Sequence, residues 1–246
     1  MPVFLLPPEI VFPHPEHADP DGLLAVGGDL CEERLLAAYA QGIFPWFDDD
    51  ASPIMWWSLD PRPIIEPAKI HLPKSLARVI KSGRFTVSFD TDFQAVISGC
   101  ALARRSYANG TWITDAMIRA YVRLHHAGFA HSVECRLDGR LVGGLYGVSL
   151  GRAFFGESMF HLEPDASKTA FAHLAALLAS WDFHFIDCQQ PTPHVARFGS
   201  VNIPRSKYLE RLAAALEYPA VIGPWGQTRG QGGCPVLLDP LALRGG

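Results

Sequence analysis

The sequence predicts an α+β protein with a mixed sheet, and its 246 residues are enough for one large domain or for a small domain plus a larger one. Helices come before three consecutive strands within residues 131–160. A further helix, a strand at 183–189 and a last helix follow, an order typical of α+β domains. The strands predicted within 140–160 and at 183–189 are apolar or small on both faces, as expected of a sheet that is covered on both sides.

The composition is that of an ordinary globular protein. Hydrophobic residues make up 48% of the chain. The formal net charge of −4 argues against a nucleic-acid-binding protein with a basic surface overall, although a local basic patch is compatible with it. The five cysteines include no C-x-x-C pair, which argues against a disulfide framework or a zinc site. Because no N-terminal signal or long apolar run is present, we expect a cytoplasmic protein.

The first 64 residues combine proline- and glycine-rich chain with one helix and a cluster of tryptophans. Asp29 is placed to cap a helix over about 31–41, which Gly42 ends. Three of the six tryptophans follow within residues 46–57, in segments broken by proline. These tryptophans form either a hydrophobic plug or a platform on which a base stacks.

A second feature is a basic stretch over residues 67–89, which contains five basic residues and no acid. Lys74, Arg78 and Lys81 recur at i, i+4 and i+7 on one helix face, and Arg84 follows. A row of one charge sign is a candidate phosphate-binding surface, and the alternative is an ordinary solvated helix face.

The rest of the chain has distinct start and stop signals. Asp138-Gly139 predicts a hairpin turn, Thr114 is the expected N-cap of its helix, and the chain from Tyr218 on is expected to be a loose tail. Helices are expected at 93–103, 115–127, about 166–179, 195–198 and 206–216, and a further strand at 85–89.

Only two carboxylates interrupt the strands predicted over 140–149, 152–160 and 183–189, namely Glu157 and Asp187. A charge in an apolar strand is costly unless it is paired or used. Asp187 and Gln189 are two residues apart, so we expect their side chains on one face of a strand. The alternatives are a buried structural carboxylate for Asp187 and a strand-end ion pair for Glu157.

The order of elements resembles the acyltransferase fold of the GNAT superfamily, in which two neighbouring strands splay apart. Members that use acyl-CoA carry a glycine-rich loop before the central helix, where backbone N–H groups bind pyrophosphate. The corresponding segment here, 161–168, has two carboxylates and no glycine. A CoA-dependent N-acyltransferase is therefore the disfavoured alternative.

Nine motifs, in order over about residues 20–210, closely resemble the leucyl/phenylalanyl-tRNA–protein transferase family. They are GGDL (27–30), GIFPWF (42–47), WWSLDPR (56–62), GTWIT (110–114), HSVE (131–134), LVGGLYG (141–147), FFGESMF (154–160), ASKTA (166–170) and IDCQ (186–189). Two positions depart from the family pattern, with Leu59 where proline is common and Leu145 where methionine often stands. The change at Leu145 falls in the expected amino-acid pocket and bears on the balance between Leu and Phe.

The resemblance implies transfer of Leu or Phe, with some leakage to Met, from aminoacyl-tRNA to an N-terminal Arg or Lys of an acceptor protein. The product is marked for degradation. The resemblance also implies a small N-terminal α+β domain (1–64) followed by a GNAT-like catalytic domain (65–246) that needs no metal or organic cofactor, and we expect a monomer. A non-catalytic RNA-binding module is the alternative from another class, and it would not need Glu157, Asp187 or Gln189.

The resemblance also assigns site roles. Asp187 and Gln189 are expected to position the attacking amine and its proton path, and Glu157 to complement the charge of the acceptor. The aminoacyl side chain is expected against residues that the sequence alone cannot distinguish from core: Leu145, Phe154, Leu174, Leu178 and Ile186. The terminal adenosine is expected against four aromatic residues: Tyr39, Trp46, Trp112 and Tyr121.

Overall fold

The computed structural model describes residues 3–103 and 113–226, and it confirms the α+β class with a mixed sheet. The strands are β1 (Phe4–Leu6), β2 (Leu23–Gly27), β3 (Phe44–Pro45), β4 (Met55–Trp57), β5 (Arg62–Ile65), β6 (Thr86–Phe89), β7 (Ala130–Leu137), β8 (Arg140–Leu150), β9 (Ala153–His161), β10 (Phe185–Asp187) and β11 (Val201–Ile203). The helices are α1 (Glu32–Ala40), α2 (Lys74–Lys81), α3 (Phe93–Leu102), α4 (Asp115–His126), α5 (Ala166–Ser180), α6 (Pro193–Ala196) and α7 (Arg205–Leu216). None of the helices in these two ranges is long and apolar enough to cross a membrane.

The N-terminal region forms a small sheet of order β1-β2-β4-β3, of which β1 and β2 lie in the proline- and glycine-rich first 30 residues. β1 runs parallel to β2, and the other pairs are antiparallel. Trp56 of β4 is fully buried and donates a hydrogen bond from Nε1 to the carbonyl of Gly27 at 2.8 Å. For this tryptophan the hydrophobic plug is therefore the correct alternative.

The larger sheet has the order β11-β5-β10-β9-β8-β7-β6. β6 to β9 are antiparallel neighbours, whereas β10 runs parallel to β9 and antiparallel to β5. β5 starts at Arg62, within the predicted N-terminal segment 1–64, and lies between β10 and β11. This placement brings a residue of the WWSLDPR motif next to the IDCQ motif of β10.

Two irregularities interrupt the pairing of β9 with its neighbouring strands, both close to Glu157. β9 and β10 pair only from Ala153 to Phe155, after which β9 continues while β10 ends at Asp187. From this point on β9 has no strand neighbour on the side of β10, which is where the resemblance to the acyltransferase fold places a splay. In the pairing of β8 with β9 the register shifts between Ser158 and Gly156, so Glu157 is the extra residue of a β-bulge.

The larger sheet is covered on both faces, as its apolar strands predict. Leu145, Phe154 and Ile186 pack on the side of α5, while the alternate residues Tyr146 and Phe155 pack with α3 and α4 on the other side. This alternation follows from the two-residue period of a strand.

The expected caps and turns are confirmed in part. Asp29 is not the N-cap of α1, because Cys31 has that position without a side-chain hydrogen bond and Asp29 accepts only from the N–H of Cys31 at 2.9 Å. Thr114 accepts a hydrogen bond from the N–H of Met117 at 3.3 Å, as predicted for the N-cap of α4. Asp138 and Gly139 both have positive φ, as the predicted tight hairpin turn requires.

The segment from Tyr218 to Gly226 departs from the expected loose tail. Trp225 is only 4% exposed, and its ring stacks on His131 at a centroid distance of 3.8 Å. Its backbone N–H donates to Asp90 at 2.8 Å. A single anchoring tryptophan has no sequence period, so the pattern of the chain did not predict this contact.

Candidate active site

Glu157 is the centre of a buried hydrogen-bond cluster at the point where β9 and β10 diverge. Its Oε1 accepts hydrogen bonds of 2.7 Å from the hydroxyl of Tyr39 and of 2.7 Å from Nε2 of Gln189. Its Oε2 accepts a hydrogen bond from Tyr121 at 3.2 Å, and the two tyrosine hydroxyl oxygens lie next to each other. The bulge in β9 thus joins α1, α4 and the loop after β10.

The surroundings of Glu157 bring its ionisation close to neutral pH. Burial raises the pKa of this carboxyl to about 7, while the hydrogen bonds from Tyr39, Gln189 and Tyr121 counteract part of that rise. Burial also raises the pKa of both tyrosines, so their hydroxyls stay protonated and act as donors. A carboxyl that titrates near pH 7 is suited to holding or exchanging a proton.

Asp187 lies beside this cluster, but its carboxylate is occupied by protein donors. Arg62 donates from Nε to Oδ1 at 2.8 Å and from Nη2 to Oδ2 at 2.7 Å, and Tyr208 donates to Oδ2 at 2.7 Å. Oδ1 also accepts from the backbone N–H of Gln189 at 2.8 Å. Burial alone would lower the pKa of Arg62, but the charge of Asp187 more than offsets that effect. The predicted alternative of a buried, hydrogen-bonded carboxylate describes this geometry.

Gln189 does not share a strand face with Asp187, contrary to the sequence prediction. β10 ends at Asp187, and Gln189 adopts the left-handed backbone conformation with φ of 58°. Asp187 therefore holds the backbone of Gln189, while the side chain of Gln189 turns to Glu157. The prediction failed because a period of two applies only while the strand continues.

The aromatic residues expected to hold the adenosine are in different environments. Tyr39 and Tyr121 are fully buried with their hydroxyls on Glu157, and their role at the adenosine stays a prediction. Trp46 is half-buried beside Trp57 at a centroid distance of 5.5 Å. Trp112 lies outside the described residues.

The structure brings together all five residues predicted to line the amino-acid pocket. They come from β8, β9, α5 and β10, are at most 3% exposed, and belong to one cluster of the core: Leu145, Phe154, Leu174, Leu178 and Ile186. Their role in amino-acid binding stays a prediction.

The basic residues of α2 are exposed, as the predicted phosphate surface requires. Lys74, Arg78 and Lys81 face solvent. Arg84 instead forms an ion pair with Glu163 at 2.9 Å, which the local sequence could not predict because Glu163 lies 79 residues further along the chain. Arg84 is therefore less available to a phosphate than the three residues of the helix.

Sequence analysis assigned no role to two residues of this region, Arg62 and Tyr208. Arg62 is 1% exposed and lies between the rings of Phe44 and Tyr208, at 4.8 and 4.7 Å from their centroids. A signal was present, since Arg62 belongs to the WWSLDPR motif and stands just before the apolar residues of β5. The sequence did not show that Asp187 is the partner of Arg62, because this contact depends on the pairing of β5 with β10 in the sheet.

The described residues thus form an α+β protein with a mixed sheet and a buried polar cluster around Glu157 beside the end of β10. Among the described residues, His, Cys, Asp and Glu side chains form no group of three that could hold a metal ion. The comparisons with known proteins specify the family within this class.

The model of the leucyl/phenylalanyl-tRNA protein transferase family matches residues 64–213, and the model of its N-terminal domain matches residues 28–60. A leucyl/phenylalanyl-tRNA–protein transferase of Solidesulfovibrio magneticus is 58% identical over 92% of this chain and 91% of its own. One from Myxococcus xanthus is 53% identical over 92% of this chain and 97% of its own. The chain belongs to this family and is an aminoacyltransferase.

Solved structures are more distant. A GCN5-related N-acetyltransferase from Kribbella flavida has 11% identity and a TM-score of 0.36, and covers 68% of this chain and 59% of its own. L-PGS from Bacillus licheniformis has 10% identity and a TM-score of 0.38, and covers 70% of this chain and 54% of its own. Scores this low add nothing to the family assignment.

Proposed function

We propose that this protein transfers Leu or Phe from aminoacyl-tRNA to the α-amine of an N-terminal Arg or Lys of acceptor proteins. The product is marked for degradation according to its new N-terminal residue, and the enzyme acts as a cytoplasmic monomer. The observation that carries the proposal is the buried cluster of Glu157, Gln189 and two tyrosines at the splay of the sheet.

The reaction depends more on the correct orientation of the attacking amine than on its deprotonation by a strong base. The amine nitrogen attacks the ester carbonyl carbon, a C–N bond forms, the bond from that carbon to the ribose oxygen breaks, and the amine proton ends on that oxygen. An α-amine has a pKa of about 7.7–8.0, so a useful neutral fraction exists near pH 7. The enzyme then contributes mainly by orientation and by hydrogen bonds to the transition state.

Glu157 and Gln189 are the residues that we assign to the amine. A carboxylate has about four acceptor sites, and Glu157 uses three of them for Tyr39, Tyr121 and Gln189. The remaining site on Oε2 is left for the amine. Because Nε2 of Gln189 donates to Glu157, its Oε1 serves as a second acceptor for the same amine.

Asp187 acts on Gln189 rather than on the substrate. Its two oxygens accept bonds from Arg62, Tyr208 and the backbone of Gln189, and the side chain is fully buried. We therefore assign Asp187 a positioning role in the same reaction.

The aminoacyl side chain is assigned to the α5 side of the sheet, where Leu145, Phe154 and Ile186 adjoin the helix. An apolar pocket discriminates by only about 1–3 kcal/mol per methylene, so some transfer of Met is expected beside Leu and Phe. The terminal adenosine is assigned to Trp46, together with Trp112, because an indole face accepts any base.

The test uses purified protein, labelled Leu-tRNA or Phe-tRNA, and a peptide that begins with Arg. An N-acetylated copy of the peptide controls for attack by the α-amine, and acetyl-CoA replaces the tRNA as a control donor. Label on the free peptide alone, and only from the tRNA donor, supports the proposal. tRNA binding without transfer would favour an RNA-binding module, and transfer from acetyl-CoA would favour the CoA-dependent alternative.

A further inference from the structure

We infer that Arg62 is a positioning residue of the transfer reaction. Arg62 links the chain segment that leads to Trp46 with the loop that carries Gln189. The inference rests on the proposed function, because Gln189 is the residue through which Arg62 acts. Neither Arg62 nor its aromatic neighbours reach the amine themselves, since Arg62 is only 1% exposed.

The three nitrogens of the Arg62 guanidinium bond two different parts of the chain, Asp187 and Gly42. Nε and Nη2 donate to the two oxygens of Asp187 at 2.8 and 2.7 Å, while Nη1 donates to the carbonyl of Gly42 at 3.2 Å. Gly42 ends the first helical segment, and Trp46 follows four residues later. One planar group therefore links the loop that we assign to the donor adenosine with the carboxylate that holds Gln189.

The aromatic residues around Arg62 fix the plane of the guanidinium. The rings of Phe44 and Tyr208 lie 4.8 and 4.7 Å from Cζ, and the hydroxyl of Tyr208 donates to the same Asp187 oxygen as Nη2. A lysine cannot reproduce this arrangement, because its ammonium lacks the planar fork that bonds both oxygens of a carboxylate.

The effect of Arg62 reaches the chemistry through the backbone of Gln189. Oδ1 of Asp187 accepts from Nε of Arg62 and from the N–H of Gln189, so the guanidinium sets the orientation of that acceptor. Gln189 has a φ of 58°, a left-handed conformation that a residue other than glycine keeps only when its surroundings impose it. Loss of this hold lets the side chain of Gln189 leave Glu157.

The experiment is a double-mutant cycle between Arg62→Lys and Gln189→Ala, with Arg136→Lys as the matched control. Arg136 pairs with Asp92 at 3.3 Å at a partly exposed position of β7. We expect Arg62→Lys to lower kcat by about 10–100-fold, the range that a small misplacement of reacting groups causes, with the KM for aminoacyl-tRNA changed less than about threefold. In the Gln189→Ala background the same change is expected to lower kcat by less than about threefold.

The cycle separates positioning from mere structural support. Equal losses of kcat in both backgrounds would overturn the inference, because Arg62 would then act independently of Gln189. If Arg62→Lys does not fold, Tyr208→Phe replaces it in the cycle and is judged by the same comparison, since it removes only the hydroxyl on Asp187.

An NMR measurement needs no activity at all. The side-chain amide signals of Gln189 should shift in Arg62→Lys and stay in place in Arg136→Lys, and unchanged signals in both would overturn the inference. If the wild-type protein transfers nothing from aminoacyl-tRNA, the proposed function fails, and these signals still decide whether Arg62 positions Gln189.

Discussion

Gln189 donates a hydrogen bond of 2.7 Å from Nε2 to Oε1 of Glu157, across the point where β9 and β10 separate. Both residues stand where regular structure is interrupted. Glu157 is the extra residue of a bulge, and Gln189 has a left-handed backbone beyond the end of its strand. Such irregularities turn side chains into a site that continuous strands would leave facing the core.

Glu157 is expected to make the protein less stable as pH rises. Its pKa in the folded state is about 7 against an ordinary value of 4.5, so its contribution to stability is full below pH 4.5 and is lost as pH rises through 7. This difference corresponds to about 3 kcal/mol of unfolding free energy. In Glu157→Gln the fall in stability between pH 4.5 and pH 8 should be smaller by about that amount, as measured by urea denaturation.

The same variant should lose transfer activity by about 100-fold, because a neutral amide offers no charge to the amine and one fewer acceptor. Glu163→Gln is the control, since Glu163 is partly exposed and lies on the surface beside Arg84. The assignment of Glu157 would be wrong if Glu157→Gln kept full transfer activity, or if its unfolding free energy fell with pH as much as that of the wild type.

Asp187 is expected to matter for stability as well as for activity. Asp187→Ala leaves the buried charge of Arg62 without its partner, which costs about 3–5 kcal/mol in unfolding free energy. The double variant Arg62→Met/Asp187→Ala should recover part of that loss, because it removes both charges. Denaturation of the two single variants and the double variant gives the coupling energy, and losses that simply add would contradict the pairing.

The sequence predicted β6 to β10 and most helices because these elements carry regular periods or clear start and stop signals, whereas β1 to β5 and β11 were not predicted. The three strands over 131–160, the cap at Thr114 and the hairpin turn at Asp138 are as expected. The neighbourhood of Arg62 was not predicted, because β5 is a four-residue strand that pairs with segments more than 120 residues away. Local pattern contains no information on that pairing.

The candidate site shows the same limit. Glu157 and Asp187 were found because a charge in an apolar strand is unusual. Both carboxylates bond Gln189, Asp187 through the backbone N–H and Glu157 through the side chain. The direction of Gln189 and the burial of Tyr39 depend on a bulge and on the end of a strand, which alternate apolar residues do not indicate. Roles that depend on orientation therefore required the structure.

The exposed face of α2 is expected to bind the tRNA through its phosphates. Replacing Lys74, Arg78 and Lys81 together by Gln should weaken binding of all aminoacyl-tRNAs alike and lower the slope of log affinity against log salt by about 3. Lys207→Gln is the control, because Lys207 lies on α7 and pairs with Glu210. Filter binding from low to moderate salt measures the slope, and an unchanged slope would remove α2 from the tRNA surface.

Trp225 is expected to anchor the segment that follows α7. Its ring stacks on His131, meets Trp181 edge-on at a centroid distance of 5.3 Å, and lies 5.8 Å from Phe154, one of the residues assigned to the amino-acid pocket. Trp225→Ala should lower the unfolding free energy by about 3–5 kcal/mol, because it leaves a large cavity in the core.

Tyr218→Ala provides the matched comparison for Trp225→Ala. Tyr218 is an aromatic residue of the same segment, but it is 46% exposed, so its loss should cost less than about 1 kcal/mol. Thermal or urea unfolding of both variants decides the matter. Equal effects of the two changes would mean that the segment is not held by Trp225, and a larger loss for Trp225→Ala would establish that the segment is part of the folded core beside Phe154.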